Sequence, residues 1–218
     1  ITHVPDTTSK ISFIDNGKSF DTNGVQYIIG PYDDLALARA VELKEQLSAE
    51  LTVVNVGGIE TEPTIRKALA IGADKAIRVD ASATGSVFVA RQIAELARKE
   101  AYDLILMGRE SIDYNGGVVH GMVGALLDIP SVSPVTKIDV QGRIAQLDRV
   151  IDGGVQKLEI ELPIVVGCQE PIAEWKIPNM RGIMQARSKP LDVLLPVDVE
   201  KASNVDSHQV PEGRSGCK

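Results

Sequence analysis

At 218 residues and 23.4 kDa the chain is long enough to bury one full core and scarcely two. A net charge of -7 without a long basic run excludes a surface built to hold a nucleic-acid backbone. A hydrophobic fraction of 44% with dispersed charge excludes a disordered chain, and 4% aromatic content makes the expected core aliphatic. No apolar run is long enough for a membrane helix and no charged-then-apolar leader is visible, so a soluble protein of a reducing compartment is expected. Cys168 and Cys217 form neither a disulfide framework nor a metal spacing.

The first residues, 1–4, read as the tail of a strand stopped by Pro5-Asp6-Thr7. Residues 11–14 and 25–29 flank Asp15-Asn16-Gly17 and suggest a small ribbon or extended loops. Pro31-Tyr32-Asp33-Asp34 opens a helix with Leu35, Ala36, Ala40, Leu43 and Leu47 on its apolar stripe and Arg39 outside it. The two acids face the free N–H groups of the first turn.

Strand and helix then alternate. Residues 51–56 form a β-branched run ending at Gly57-Gly58, and a helix over 61–71 carries Pro63 in its first turn and Gly72 at its end. A strand at 75–79, a helix at 86–99, a strand at 104–107 and a helix at 121–127 follow, before a strand from Val132. This order predicts an α/β fold, a mostly parallel sheet covered by helices. Past Val135 the turns Gln141-Gly142 and Asp152-Gly153-Gly154 predict antiparallel hairpins at an edge, and 164–167 is another buried run. From Gln169 onward, four prolines predict irregular chain with at most a short helix at 183–186. The expected division is an α/β nucleotide-binding-like domain over 1–195 and an extended C-terminal arm over 196–218.

The stretch Gly108-Arg109-Glu110-Ser111-Ile112-Asp113-Tyr114-Asn115-Gly116-Gly117-Val118-Val119-His120-Gly121 follows a parallel strand and enters a helix, where α/β sheets bind ligands. Gly116 and Gly117 permit a tight turn and close approach. Free N–H groups at Val118, Val119 and His120 suit an anion, and Asp113 suits a ribose hydroxyl. An ordinary glycine-rich loop with a capping Asp makes the same pattern, since neither Walker nor GxGxxG spacing is present. Val56 and Gly57 end the neighbouring strand and would complete the crevice. His120 reads as a phosphate contact or a packed residue, and Trp175 as a partner anchor or a lid on its own core. No nucleophile elbow, metal set or carboxylate pair is visible, so catalytic machinery is not expected.

Several of these segments together resemble the beta (small) subunit of electron-transfer flavoprotein, over the chain up to Leu195. They are Thr64-Ile65-Arg66-Lys67-Ala68-Leu69-Ala70-Ile71-Gly72-Ala73-Asp74, the stretch from Asp103 to Asp113, the turn Ile151-Asp152-Gly153-Gly154 and the pair Leu162-Pro163. Pro178-Asn179 with Met184-Gln185-Ala186 corresponds to that family's partner-recognition segment, in which Ile177 matches the inserted apolar residue. The resemblance implies a heterodimer with an alpha subunit that holds the redox FAD. It also implies electron relay from flavin dehydrogenases such as acyl-CoA dehydrogenase to a quinone oxidoreductase or other acceptor. The beta subunit would be an electron-carrier scaffold rather than an enzyme, with AMP in its pocket, a C-terminal arm on the partner, and residence in the bacterial cytoplasm or, second, the mitochondrial matrix. Two departures stand out: Val118, Val119 and His120 replace a polar Gln/Thr-Gly run, and Gly30 stands where many relatives have Asn. Each lost side chain removes a donor, so any nucleotide is held mainly through backbone. The alternatives are an autonomous adenine-nucleotide-binding protein and the FAD-binding subunit of an electron-bifurcating flavoprotein.

Overall fold

The computed structural model describes residues 1–198 and 204–210. The chain begins with four short strands, β1 (His3–Pro5), β2 (Phe13–Ile14), β3 (Ser19–Phe20) and β4 (Tyr27–Ile29). Helix α1 (Pro31–Leu47), β5 (Thr52–Val56), α2 (Glu62–Ile71), β6 (Lys75–Val79) and α3 (Ser86–Glu100) follow. The chain continues through β7 (Leu104–Gly108), α4 (Val119–Leu127), β8 (Ser131–Gln141), β9 (Ile144–Ile151), β10 (Gly154–Glu161) and β11 (Ile164–Cys168). Helix α5 (Met180–Ala186) and β12 (Leu191–Leu194) complete it.

The strands assemble in two main sheets, ordered β10-β9-β8-β11-β7 and β12-β6-β5. Pairing is parallel for β7/β11/β8 and for β5/β6/β12, and antiparallel where β8, β9 and β10 form the edge meander. All five residues of β11 are buried, as a central parallel strand with helices on both faces requires. The hairpin reading of the edge holds: Gly142 and Gly153 adopt φ of 60° and 84°, which their tight turns demand.

Three expectations are revised. First, α1 is buried nearly all round, and Arg39 is not a solvent-side residue. Its Nε and Nη2 donate to the Ile138 carbonyl at 3.1 and 2.6 Å, and its charge meets Glu42 and Asp139. Its planar fork reaches carbonyl and carboxylates at once, so it lies under α1 while its charge stays paired. Second, α4 begins at Val119 rather than Gly121, with Val118 as its N-cap. Third, the region after Gln169 is more regular than its prolines suggest. Helix α5 lies against α2 so closely that a Cβ at Gly182 would stand 2.3 Å from the Ala70 carbonyl oxygen. Strand β12 extends the smaller sheet, although it is four residues long and bounded by Pro190 and Pro196.

The chain beyond β12 is tied at two points. Gln92 brackets Val197, donating to its carbonyl at 2.9 Å and accepting from its amide at 2.8 Å. The His208 amide donates to the Gly17 carbonyl and its ring stacks on Phe13 at 5.2 Å. Most of the rest of the expected arm, including Cys217, lies outside the described residues.

Candidate functional site

The C-terminal ends of β5, β6 and β7 all point to one edge, where α2, α3 and α4 begin. The start of α1 joins them there. A Cβ on Gly108 would stand 2.8 Å from the Tyr32 Cβ and 2.9 Å from the Asp33 nitrogen, so glycine is required for α1 to seat against β7. Asp33, only 4% exposed, accepts from the Gly108 amide at 2.7 Å and from the Thr2 amide and hydroxyl at 3.0 and 2.6 Å. This carboxylate pins the N-terminal segment, α1 and β7 into one corner.

Over the corner, the Arg109 guanidinium lies 4.8 Å from the Tyr32 ring centroid and donates to Gln169 Oε1 at 2.7 Å and to Glu110. The loop from Arg109 to Val118 then bends back. A Cβ on Gly116 would lie 3.6 Å from the Ser86 hydroxyl at the start of α3, and Gly117, with φ of 59°, lies beside the Arg109 carbonyl. On the opposite side Gly57 closes on Thr61 and Asn55, and its carbonyl accepts from Arg78 at 3.1 Å. Val56, half-buried, ends β5.

The helix starts at this edge share one property. The N-caps of α1, α2, α3 and α4 are Gly30, Thr61, Gly85 and Val118, and none makes a side-chain capping bond. Pro31 and Pro63 remove one of the first N–H groups from each of α1 and α2, and the Glu62 amide donates to the Ile59 carbonyl. The starts of α3 and α4 therefore keep the most free N–H groups for water or a ligand, where the helix dipoles favour a negative one. The α4 start presents the N–H groups of Val119, His120 and Gly121, because intrahelical bonding begins with Met122 to the Val118 carbonyl.

The expected site residues divide into two groups. Gly116, Gly117, Val118 and Val119 form the loop and helix start. Asp113 is exposed and accepts from the Tyr114 amide at 2.9 Å, a turn contact that leaves its second oxygen free. His120 packs inward, its Cδ2 3.0 Å from where a Gly167 Cβ would stand. Burial lowers its pKa, partly offset by nearby carbonyls of Gly117 and Arg109, and its buried Nδ1 has no partner among the described residues. Its backbone, rather than its ring, belongs to the edge. The sequence pattern marks Asp33 only as a helix-start acid and gives Arg109 and Gln169 no role. Their meeting across 60 positions has no local pattern that would announce it. Cys168 is fully buried, and that burial, with Asp33 next, pushes its thiol well above the ordinary range.

A second surface is built on opposite terms. Asn179 caps α5 with its own side chain, accepting from the Gly182 amide at 2.8 Å. Around that closed backbone the apolar side chains point outward: Ile177 is 75% exposed, Met180 73%, Met184 69% and Trp175 64%. Lys176 reaches Glu42 at 3.6 Å and tethers the loop to α1, while Pro178 holds Ile177 extended. Trp175 is therefore not a lid over its own core.

The electron transfer flavoprotein domain model matches residues 18–198. The chain belongs to this family. It is 36% identical over 193 residues to the electron transfer flavoprotein subunit beta of Bacillus subtilis (strain 168), covering 87% of this chain and 74% of that relative. The human electron transfer flavoprotein subunit beta is 33% identical over 208 residues, covering 90% of this chain and 82% of its own length. That of Syntrophomonas wolfei is 34% identical over 212 residues, with coverage of 96% and 83%. Membership therefore extends to the beta subunits, whose named role is electron transfer in a flavoprotein. No helix among the described residues is long and apolar enough to cross a membrane.

Proposed function

We propose that this chain is the beta subunit of a heterodimeric electron-transfer flavoprotein whose alpha subunit holds the redox FAD. The heterodimer relays electrons from flavin dehydrogenases, such as acyl-CoA dehydrogenase, to a quinone oxidoreductase or another acceptor, in the bacterial cytoplasm or the mitochondrial matrix. The observation that carries this reading is the exposed apolar rim made by Trp175 and Ile177 in the loop before α5 and by Met180 and Met184 on the helix, whose start Asn179 caps. A redox encounter needs a small interface that still releases quickly, and one aliphatic anchor on a pre-shaped loop suits that demand. Ile177 is the anchor; Pro178 and Asn179 shape it, and Met184 adds adaptable contact area. The flavin supplies the electron chemistry, so this chain's residues bind and position.

The glycine edge fits one mononucleotide such as AMP. Backbone N–H groups of Val119, His120 and Gly121 would take a phosphate, Asp113 a ribose hydroxyl, and Val56 and Gly57 would lie against the base. Valines at 118 and 119 add no hydroxyl, so a second phosphate would find few donors beyond the backbone and a dinucleotide fits less well. The test is co-expression with an alpha subunit, followed by release of bound nucleotides from denatured protein and identification by mass. The expected product is a yellow heterodimer with one FAD and at most one AMP. A flavin-free homodimer that binds ATP would establish the autonomous nucleotide-binding alternative. Two FAD per heterodimer would place the chain in the bifurcating branch.

A further inference from the structure

The sulfur atoms of the chain lie in Cys168, Cys217 and the methionines at 107, 122, 180 and 184, and their surroundings differ widely. Cys168 is fully buried, and that burial pushes its thiol up, so it is shielded from oxidants. Met107 and Met122 pack, partly buried, on the cluster of Ala90, Val123 and Val165. Met180 and Met184 are 73% and 69% exposed. Cys217 lies outside the described residues.

The outward pair is held there by the seating of α5. Gly182 and Ala186, one helical turn apart, form the face that meets α2. A Cβ at Gly182 would collide with the Ala70 carbonyl oxygen, and Ala186 is buried with Ala68 and Leu69. Met180 and Met184 repeat the same spacing two positions earlier, a rotation of about 200°, which puts them on the opposite face. Asn179 caps the first turn, so their exposure is not that of a fraying end. Ile177, in the loop just before, is exposed as well, so the anchor and the two thioethers belong to one unshielded rim.

We infer that Met180 and Met184 form a reversible oxidation site that switches docking off, given the docking role proposed above for that rim. The oxidant is a peroxide, hydrogen peroxide being the simplest. The thioether sulfur takes one peroxide oxygen, the O–O bond breaks, and the other oxygen leaves with both hydrogens as water. Sulfur loses two electrons, the peroxide gains them, and the product is methionine sulfoxide. In the free protein the new S=O group is hydrated, so the fold is unaffected. In a docked complex it loses that water inside an apolar contact, which weakens docking. A leucine would give similar contact area without this response, whereas the flexible thioether supplies both. Methionine sulfoxide reductases, one for each sulfoxide epimer, restore the rim.

The test uses the heterodimer carrying Cys217→Ser, before and after hydrogen peroxide, and again after both reductases. Peptide masses should show one oxygen atom gained at Met180 and Met184 about tenfold or more faster than at Met107 and Met122. The heterodimer concentration that half-saturates dehydrogenase-driven flavin reduction should rise about 5- to 100-fold and return after the reductases, with the melting midpoint unmoved throughout. The Met180→Leu/Met184→Leu protein, whatever its starting value, should not shift with peroxide. Ile177→Ala separates the two readings. If it raises the half-saturating concentration while the oxidised rim does not, the switch is overturned and docking through the rim stands. If neither changes it, the docking reading falls and the switch with it. A peroxide effect that persists in the leucine pair, or oxidation of Met107 and Met122 as fast as the outer pair, also overturns the switch.

Discussion

The glycine edge and the α5 rim satisfy their backbones in opposite ways, and the difference shows where side chains are spent on the fold and where they are left exposed. At the edge, four helices begin with no side-chain cap, and the starts of α3 and α4 keep free main-chain N–H groups. The side chains there, Asp33 above all, are spent on joining segments distant in sequence. At the rim, Asn179 closes the helix start and leaves exposed apolar side chains with no structural duty. An edge built from backbone recognises charge and shape, while its side chains hold the fold. A rim built from side chains can be tuned residue by residue without disturbing the fold.

If the comparison holds, damage at the edge should unfold the protein and damage at the rim should not. Asp33→Ala is expected to have the largest effect, since it orphans the Gly108 and Thr2 donors in a buried corner. A loss of about 2–4 kcal/mol is expected, seen as a melting midpoint lower by several degrees and an earlier urea transition. Asn179→Ala should cost about 1 kcal/mol, the usual worth of an N-cap, with a local increase in amide exchange over α5 and little elsewhere.

The smallest effect concerns pH. Burial lowers the pKa of His120 and of His3, so in both the unfolded chain binds protons more readily than the folded one. The stability these groups contribute is present above about pH 6.5, the unfolded value, and is lost as pH falls through their lower folded values. Urea midpoints should therefore decline between pH 7.5 and 5, and His120→Gln should flatten part of that slope. A slope unaltered by His120→Gln would mean the ring is already solvated, contrary to its packing on Gly167.

How far the sequence disclosed this division differs between the two regions. The parallel core was readable because β-branched runs, glycines and helical stripes repeat in order, and buried strands such as residues 164–168 carry no other plausible pattern. The rim was marked only by family resemblance at Ile177, Pro178, Asn179 and Met184; the start of α5 at Met180 and its Asn179 cap were not legible, since the expected helix covered 183–186 alone. The edge was only half readable. Glycines at 57, 108, 116 and 117 marked where chain passes close, but the Asp33 corner and the Arg109–Gln169 contact arise from tertiary approach that no periodicity encodes. Strand β12 was missed for a related reason: its pattern of exposure is set by β6 beside it, while its own prolines argue against a strand. Arg39 was misplaced because a helix stripe says which side is apolar, and not that a long cation can cross beneath it.

The central claim is that this chain docks a flavin dehydrogenase through Ile177 on behalf of a flavin held by its partner. The most direct measurement is dehydrogenase-driven reduction of the heterodimer's flavin as a function of heterodimer concentration, for the parent and for Ile177→Ala, with a melting curve beside each. The account predicts a half-saturating concentration raised about 5- to 150-fold, equivalent to roughly 1–3 kcal/mol of docking, with the melting midpoint unchanged. An unchanged concentration dependence together with a large fall in melting midpoint would contradict it, because Ile177 would then be a core residue of its own domain.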